Sequence, residues 1–380
     1  MIKIISKFFV VTMLVTLMLN ISACGLYKMG YENPEQKAPE TATEMPLQDI
    51  KIGAILSGDG GGGNSYGHID GLYQATDDLG VNTGNIVWNY YVKEDECSAK
   101  IEELIAAGCN IVVADHKMYE SYMLTAAEAY KDVLFIAVAG DTASQVNFPN
   151  FKNANTNISE ARYAAGVVAG MKLSELHKAG ELPDSAYNKK GNIKVGYVGT
   201  FSDEECISGY SYFLLGIRSI IDNVVMDVLY TNSQSDPEAE SKAVKEFISD
   251  GCVFVGQHTY SIGATKAVQE AFESGKMCYT IGYGRNMLVD APDVVLTCIK
   301  NNWSVYYKYV IESMINKSDI DVTWTKGFAE NAVGFTDFGP SCAEGTTEHI
   351  GAVVNAIKND QMDIFNTGID KKIDGITELN

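Results

Sequence analysis

Aromatic rings, side-chain amides and imidazoles recur in this sequence at points where short apolar runs end. Tyr66 and His68 follow the first such run, and His116 follows a later one. A flat heteroaromatic ligand would stack on such rings, while amides and imidazoles would bond to its polar edge. The recurrence predicts a binding cleft lined by Asp59, Asn64, Ser65, Tyr66, His68, Asp115, His116, Gly140, Phe201, Gln257, His258, Thr259, Tyr283, Asn302 and Trp303.

The sequence motifs support an enzyme less well than they support a binding cleft. The glycine-rich segment 57–68 could cradle a phosphate, but it lacks the GxxxxGK[ST] pattern and has no lysine or arginine nearby. Neither GxSxG nor HExxH occurs. His116 and His258 could act as bases, yet no nucleophile can be assigned to them. We therefore expect no enzyme activity, no catalytic residue and no cofactor, and we interpret the acidic residues 203–205 as partners of a helix N-terminus.

Composition excludes two further classes of partner. Seven cysteines follow Cys24 and none of them forms a CxxC pair, so we predict no metal site. Four of the seven lie in or beside strand-like apolar runs and are predicted to be buried small hydrophobic side chains: Cys109, Cys252, Cys278 and Cys298. The formal net charge is −20 and the sequence pI is about 4.6. Such an acidic protein repels phosphate backbones, so we expect no nucleic-acid partner.

The first 24 residues have the layout of an export signal. Lys3 and Lys7 precede an uncharged apolar run that is too short and wrongly flanked for a membrane-spanning helix. The segment Ile-Ser-Ala-Cys at 21–24 resembles a bacterial lipobox, which implies removal of residues 1–23 and attachment of a lipid such as palmitate to Cys24. Residues 24–47 are polar and contain prolines, which predicts a flexible tether. The expected location is the extracytoplasmic side of the cell membrane, held by the lipid anchor.

Short β-branched runs alternate with amphipathic segments along the rest of the chain. This alternation predicts an α/β fold of two doubly wound parallel-sheet lobes joined by a hinge. We assign residues 48–155 and about 284–320 to the first lobe, and residues 156–283 with part of 321–380 to the second. Ligands of open α/β sheets bind at the carboxyl ends of the strands. The predicted binding residues should therefore meet in a cleft between the lobes.

Several segments resemble the basic-membrane-protein, or PnrA-like, family of lipoprotein substrate-binding proteins of ABC transporters. The resemblance spans roughly residues 50–320, and its most specific element is an R-Y-x-A-G-x-x-A-G helix that starts at Arg162. The other segments are 58–71, 196–201, 257–259 with Ala264, and 282–283. The resemblance implies a type I periplasmic-binding-protein fold that clamps a nucleoside or a purine base between its lobes. It also implies the permease and ATPase subunits of an importer as partners.

Departures from the family pattern bear on the ligand. Nucleoside-binding members usually carry an acidic residue where this chain has Gly284, together with a lysine near Asn301. An acid and a lysine suit ribose hydroxyls, so their absence favours a purine-type base, with a nucleoside as second choice. A sensory receptor ectodomain acting on a membrane partner would use the same cleft and stays an alternative. A nucleoside-processing enzyme is the third interpretation.

Overall fold

The structure is a computed structural model that describes residues 44–61, 63–365 and 368–379. The expected signal peptide over 1–23, the lipidation site Cys24 and most of the tether lie outside these ranges. Within them, every helix is too short or too polar to cross a lipid bilayer.

The first lobe is built on a sheet of six parallel strands. The strands are β1 (Ile52–Ile55), β2 (Ile86–Asn89), β3 (Ile111–Ala114), β4 (Leu134–Val138), β5 (Phe151–Thr156) and β11 (Thr323–Lys326), in the order β11-β5-β4-β3-β1-β2. Its helices are α1 (Asn64–Leu79), α2 (Cys97–Ala106), α3 (Glu120–Ala129) and α8 (Trp303–Asn316). Helices α1 and α8 pack on one face, and α2 and α3 on the other. Covering both faces buries the apolar strands, as parallel sheets require.

The second lobe is built on a sheet of seven strands, parallel except at β12. The strands are β6 (Ile193–Gly199), β7 (Val224–Tyr230), β8 (Phe254–Gln257), β9 (Tyr279–Tyr283), β10 (Val295–Asn301), β12 (Val333–Phe335) and β13 (Ile376–Leu379), in the order β12-β10-β9-β8-β6-β7-β13. Its helices are α4 (Ile158–Ala179), α5 (Glu204–Arg218), α6 (Pro237–Ser249), α7 (Gly263–Glu273) and α9 (Thr346–Lys358). Helices α4, α5 and α9 lie on one face, and α6 and α7 on the other.

The predicted α/β fold with two mostly parallel sheets is confirmed, but the chain changes lobe later than expected. The sequence assigned residues from about 284 to the first lobe, whereas β10 pairs with β9 in the second sheet. The chain returns to the first lobe only at α8. It then adds β11 to the first sheet before β12 pairs with β10. Pairing between strands that are distant in sequence determines this path, so local sequence patterns do not predict it.

Local sequence signals account for several of the helix ends. Asp236 accepts hydrogen bonds from the backbone N–H groups of residues 238 and 239 at 3.1 and 3.0 Å and caps α6, whose first residue is Pro237. Gly108 follows α2 with φ of 86°, a left-handed conformation that favours glycine. Gly251 follows α6 with φ of 90°. The two lobes therefore share a glycine helix end shortly before a strand.

The four cysteines predicted to be buried hydrophobic side chains are buried. Cys278 and Cys298 have no exposed surface, and Cys109 and Cys252 are 3% and 1% exposed. Burial raises the pKa of the Cys252 thiol to about 12, so it stays protonated at neutral pH. These side chains therefore act as small apolar groups in the core.

Helices α4 and α5 cross closely at two glycines. A Cβ atom at Gly166 would lie 2.0 Å from the carbonyl oxygen of Phe213, and one at Gly216 would lie 2.0 Å from that of Tyr163. The contacting atoms belong to the backbone, so they cannot turn away as a side chain can. This crossing therefore requires the glycine of the R-Y-x-A-G helix. It also holds the start of α4, which carries Arg162, beneath the carboxyl edge of the second sheet.

Candidate ligand-binding site between the two lobes

Loops at the carboxyl ends of the two sheets face each other across a cleft. His116, after β3, places its Nε2 atom 3.0 Å from the side-chain amide nitrogen of Gln234, after β7. Tyr260, after β8, donates its hydroxyl to Asn64 Oδ1 at 3.5 Å. Each contact joins one lobe to the other. The predicted strand-end residues His116 and Asn64 are therefore in the cleft, and Gln234 and Tyr260 lie opposite them.

Asp115 holds the glycine-rich loop in place rather than presenting its carboxylate to the cleft. The side chain is 1% exposed and accepts hydrogen bonds from the Ser57 backbone N–H at 3.0 Å and from the Ser65 hydroxyl at 2.5 Å. Its backbone carbonyl accepts from the Asn64 side chain at 2.6 Å. Burial raises the pKa of Asp115 to about 6, although these hydrogen bonds oppose the shift. Asp115 and Ser65 thus position Asn64 at the cleft.

His68 and Trp303, both expected to contact ligand, lie in the core of the first lobe. His68 has no exposed surface, stacks on Trp303 with ring centroids 4.5 Å apart, and places Nδ1 2.7 Å from the Tyr307 hydroxyl. Burial lowers the pKa of His68 to about 3, so the ring is neutral. Asn302 accepts from the Ser304 hydroxyl at 2.7 Å at the start of α8. His68 and Trp303 therefore pack α1 against α8, and Asn302 lies at the start of α8.

The predicted residues 257–259 and Tyr283 form the buried layer under the second lobe's side of the cleft. Gln257 Nε2 donates to the carbonyl of Thr259 at 2.8 Å and shapes the turn after β8. The Arg162 guanidinium lies over the Tyr283 ring, 3.9 Å from its centroid. Arg162 Nη1 donates to the Gln257 carbonyl at 2.7 Å. This layer supports the cleft surface instead of forming it.

A cavity of about 390 Å³ lies between α1 and the ends of β9, β10 and β12. Tyr66, half-buried on α1, lines it from the first lobe. The second-lobe side is polar and contributes Arg285, Asn286, Lys300, Asn301 and Asp337. Lys300 directly precedes Asn301, so a lysine is present near that position after all. The sequence argument that such a lysine is absent was therefore wrong, and the argument against a nucleoside loses one of its two parts.

The other predicted residues divide between the cleft surface and supporting roles. Phe201 is 41% exposed at the end of β6, so its ring is accessible. Asp59 accepts from the Gly61 backbone N–H at 2.8 Å within the glycine-rich loop. Gly140 is buried, and a Cβ atom there would lie 2.2 Å from the Asn153 side-chain nitrogen. Only Phe201 of these three offers a ring surface to a ligand.

Glu205 is a cleft residue that the sequence interpretation assigned to helix capping. Asp203 is the actual cap of α5 and accepts from the Cys206 backbone N–H at 2.9 Å. Glu205 is 64% exposed and places Oε1 3.6 Å from His258 Nε2. This contact is the main cause that lowers the pKa of Glu205, and the charge of Arg162 adds to it. Burial and Arg162 oppose protonation of His258, but the neighbouring Cys206 and Glu205 outweigh them and raise its pKa.

Metal chemistry has no support in the described ranges. No group of three or more His, Cys, Asp or Glu side chains there is arranged to hold a metal ion. The acidic and imidazole groups of the cleft are instead dispersed over both lobes. The arrangement offers a ligand a ring surface, hydrogen-bonding edges and the ionised carboxylate of Glu205.

Comparisons with known proteins agree with this architecture. A purine-binding protein of Brucella abortus is 27% identical over 336 residues, which cover 86% of each chain. A solute-binding protein of an Aeropyrum pernix ABC transporter matches with a TM-score of 0.68 and 14% identity, covering 82% of this chain and 92% of the other. One from Conexibacter woesei matches with a TM-score of 0.66 and 16% identity, covering 84% and 100%.

The family described as ABC transporter substrate-binding protein, PnrA-like, matches residues 60–367. This range includes both sheets except for β1 at one end and β13 at the other. It also includes the R-Y-x-A-G-x-x-A-G helix and every cleft contact between the lobes. The chain therefore belongs to the PnrA-like family of substrate-binding proteins of ABC transporters.

Proposed function

We propose that this protein is a lipid-anchored, extracytoplasmic substrate-binding protein that captures a purine-type base or a nucleoside for an ABC importer. The observation that carries the proposal is the cleft itself, in which an exposed ring and hydrogen-bonding groups of both lobes face one another. Membership of the family supports the importer role, and the named activity of the Brucella abortus relative supports a purine ring. Capture requires no covalent step.

Ligand capture is proposed to bring the lobes together about the strands that connect them. Phe201 would stack on the base, because its ring is accessible at the carboxyl edge of the second sheet. His116 and Asn64 would meet the base from the first lobe, where Asp115 and Ser65 hold the loop in place. A permease would then recognise the closed form, a change of the hinge type.

Thermal unfolding of purified protein against purine bases, nucleosides, sugars and amino acids tests the ligand class. A ligand present at a hundred times its dissociation constant stabilises the folded state by about 2.7 kcal/mol. We expect stabilisation only by purine bases or nucleosides, and the ratio of their affinities orders the two. Stabilisation by sugars or amino acids would overturn the ligand class.

The lipid anchor has a separate test. Mass spectrometry of protein extracted from membranes should show a lipid on Cys24 and no residues before it. A Cys24→Ala variant should appear in the soluble fraction, whereas Cys342→Ala, in a cysteine far along the chain, should stay with the membrane. Unmodified Cys24 in membrane-extracted protein would contradict the anchor.

A further inference from the structure

We propose that Glu205 is the specificity-determining residue of the cleft and selects ligands with a guanine-type ring. Such a ring places its N1–H group and its exocyclic amino group side by side, and the carboxylate would accept a hydrogen bond from each. The inference rests on the proposed function and deepens it, because it names the ligand class among purines.

The position of Glu205 supports this role. It lies on the first turn of α5, directly after the loop that carries the exposed ring of Phe201. Its charge acts on His258 within the second lobe and on His116 across the cleft. Because the side chain is 64% exposed and its charge acts on a histidine of each lobe, we place its carboxylate at the cleft.

The carboxylate also has spare hydrogen-bonding capacity. Asp203 is the cap of α5, so Glu205 in the first turn acts on the helix N-terminus only through its charge. Among the described residues, its only ion-pair contact is the one with His258 at 3.6 Å, which is long enough to leave its lone pairs available. A ligand with paired donors would complete its hydrogen bonding.

Buried Arg162 adds to the effect of His258 in favouring the ionised form of this carboxylate. Arg162 is 2% exposed, and its Nε and Nη2 atoms have no hydrogen-bond partner among the described residues. An unpaired buried cation is unfavourable unless an anion lies near it. Glu205 is a carboxylate on which this charge acts. The charge of Arg162 thus lowers the pKa of Glu205 further, in addition to the larger effect of His258.

The purine edges differ in how they match a carboxylate. Guanine offers two adjacent donors, N1–H and the 2-amino group, and a carboxylate can accept both in a bidentate arrangement. Hypoxanthine lacks the 2-amino group and offers one donor on that edge. Adenine presents an N1 acceptor, which faces a carboxylate unfavourably. The expected order is guanine type, then hypoxanthine type, then adenine type.

Guanosine and inosine form a soluble test pair that differs only in the 2-amino group, and guanine with hypoxanthine repeats the test for free bases. Titration calorimetry on the wild type should show preference for the 2-amino member by roughly 10- to 100-fold. In Glu205→Gln the ratio should fall close to one, because an amide offers a single acceptor. Glu204→Gln, in the exposed neighbour, is the matched control and should keep the wild-type ratio.

Each outcome has one meaning. Equal affinities for both members in the wild type, or an unchanged ratio in Glu205→Gln, would overturn this inference and leave the purine proposal intact. Binding of neither pair would overturn the proposed function and this inference together. Unfolding curves of the ligand-free variants show whether Glu205→Gln has kept its fold, and the ratio within one variant cancels any uniform loss of affinity.

Discussion

Replacement of Asp115 by asparagine should change the pH dependence of stability in a defined direction. The folded-state pKa of this buried carboxyl is raised from 3.8 to about 6. The folded protein therefore holds its proton more tightly than the unfolded chain, and stability falls as pH rises between these values. The whole shift corresponds to about 3 kcal/mol, of which about 1.3 kcal/mol develops between pH 5 and pH 7.

Urea unfolding of wild type and Asp115→Asn at several pH values between 5 and 7 measures this effect. The range stays above the sequence pI of about 4.6, where solubility is poorest. Relative to the variant, the wild type should lose about 1.3 kcal/mol across the range. Asp132→Asn, at an exposed position of the same lobe, is the control and should differ from wild type by a constant amount.

Two results would refute the reasoning about Asp115. A difference between wild type and variant that does not change with pH would mean that the carboxyl is not shifted by burial. A difference that grows in favour of the wild type as pH rises would mean that the hydrogen bonds from Ser57 and Ser65 outweigh burial.

Three further perturbations test the helix crossing, the contact across the cleft and the polar cavity. Gly166→Ala should lower the free energy of unfolding by about 3 kcal/mol because the added methyl meets a backbone carbonyl. The control Gly351→Ala, which has open space around it, should not destabilise the protein. Unfolding curves measure both, and an unchanged stability in Gly166→Ala would contradict the close packing. Gln234→Ala should weaken ligand binding severalfold in calorimetry with little change in ligand-free stability, and unchanged affinity would show that its contact with the first lobe adds nothing. Lys300→Met should lower the affinity for a nucleoside about tenfold and leave the affinity for a free base unchanged. The control Lys245→Met, on an exposed face of α6, should change neither affinity. Equal losses of affinity for both ligands would exclude a ribose at Lys300.

The sequence predicted the fold well because local patterns carry most of it. Strand and helix periodicity differ strongly, and end signals such as Asp236 with Pro237 act over a few residues. The lobe to which β10 belongs could not be predicted, because it does not depend on local patterns. Whether a strand pairs with β9 or begins a new crossing depends on contacts between distant segments. The same limit applies to β11, which joins a sheet whose other strands end at residue 156.

The candidate site was predicted only in outline, and part of the error could have been avoided. Tyr66 and His68 stand two residues apart on α1, and such positions do not share a face of a helix. When one of them meets the cleft, the other must turn toward the core. Trp303 likewise starts a buried stripe that continues at Tyr306 and Tyr307, a helical spacing typical of core residues. Helical periodicity alone therefore predicts that His68 and Trp303 lie in the core.

Glu205 could not have been identified in this way. Three consecutive acidic residues at a helix start are equivalent in sequence, and the backbone at Asp203 decides which of them caps. Arg162 was visible only as part of a family motif. Its burial beneath the cleft, without an acidic partner in contact among the described residues, emerges from the crossing of α4 with α5 and from the Tyr283 ring beneath it.

The choice between a base and a nucleoside now depends on how the two ends of the cleft are connected. Glu205 contacts His258, whose ring lies 5.7 Å from that of Tyr283. Tyr283 contacts Tyr260, and Tyr260 lies against Gly284 at the wall of the polar cavity. Glu205 is thus linked to the polar cavity only through the buried rings of His258, Tyr283 and Tyr260. Because the cavity presents Lys300, Asn301 and Asp337, a nucleoside whose sugar lies there stays a candidate beside the free base, and the two ligands' responses to Lys300→Met distinguish them.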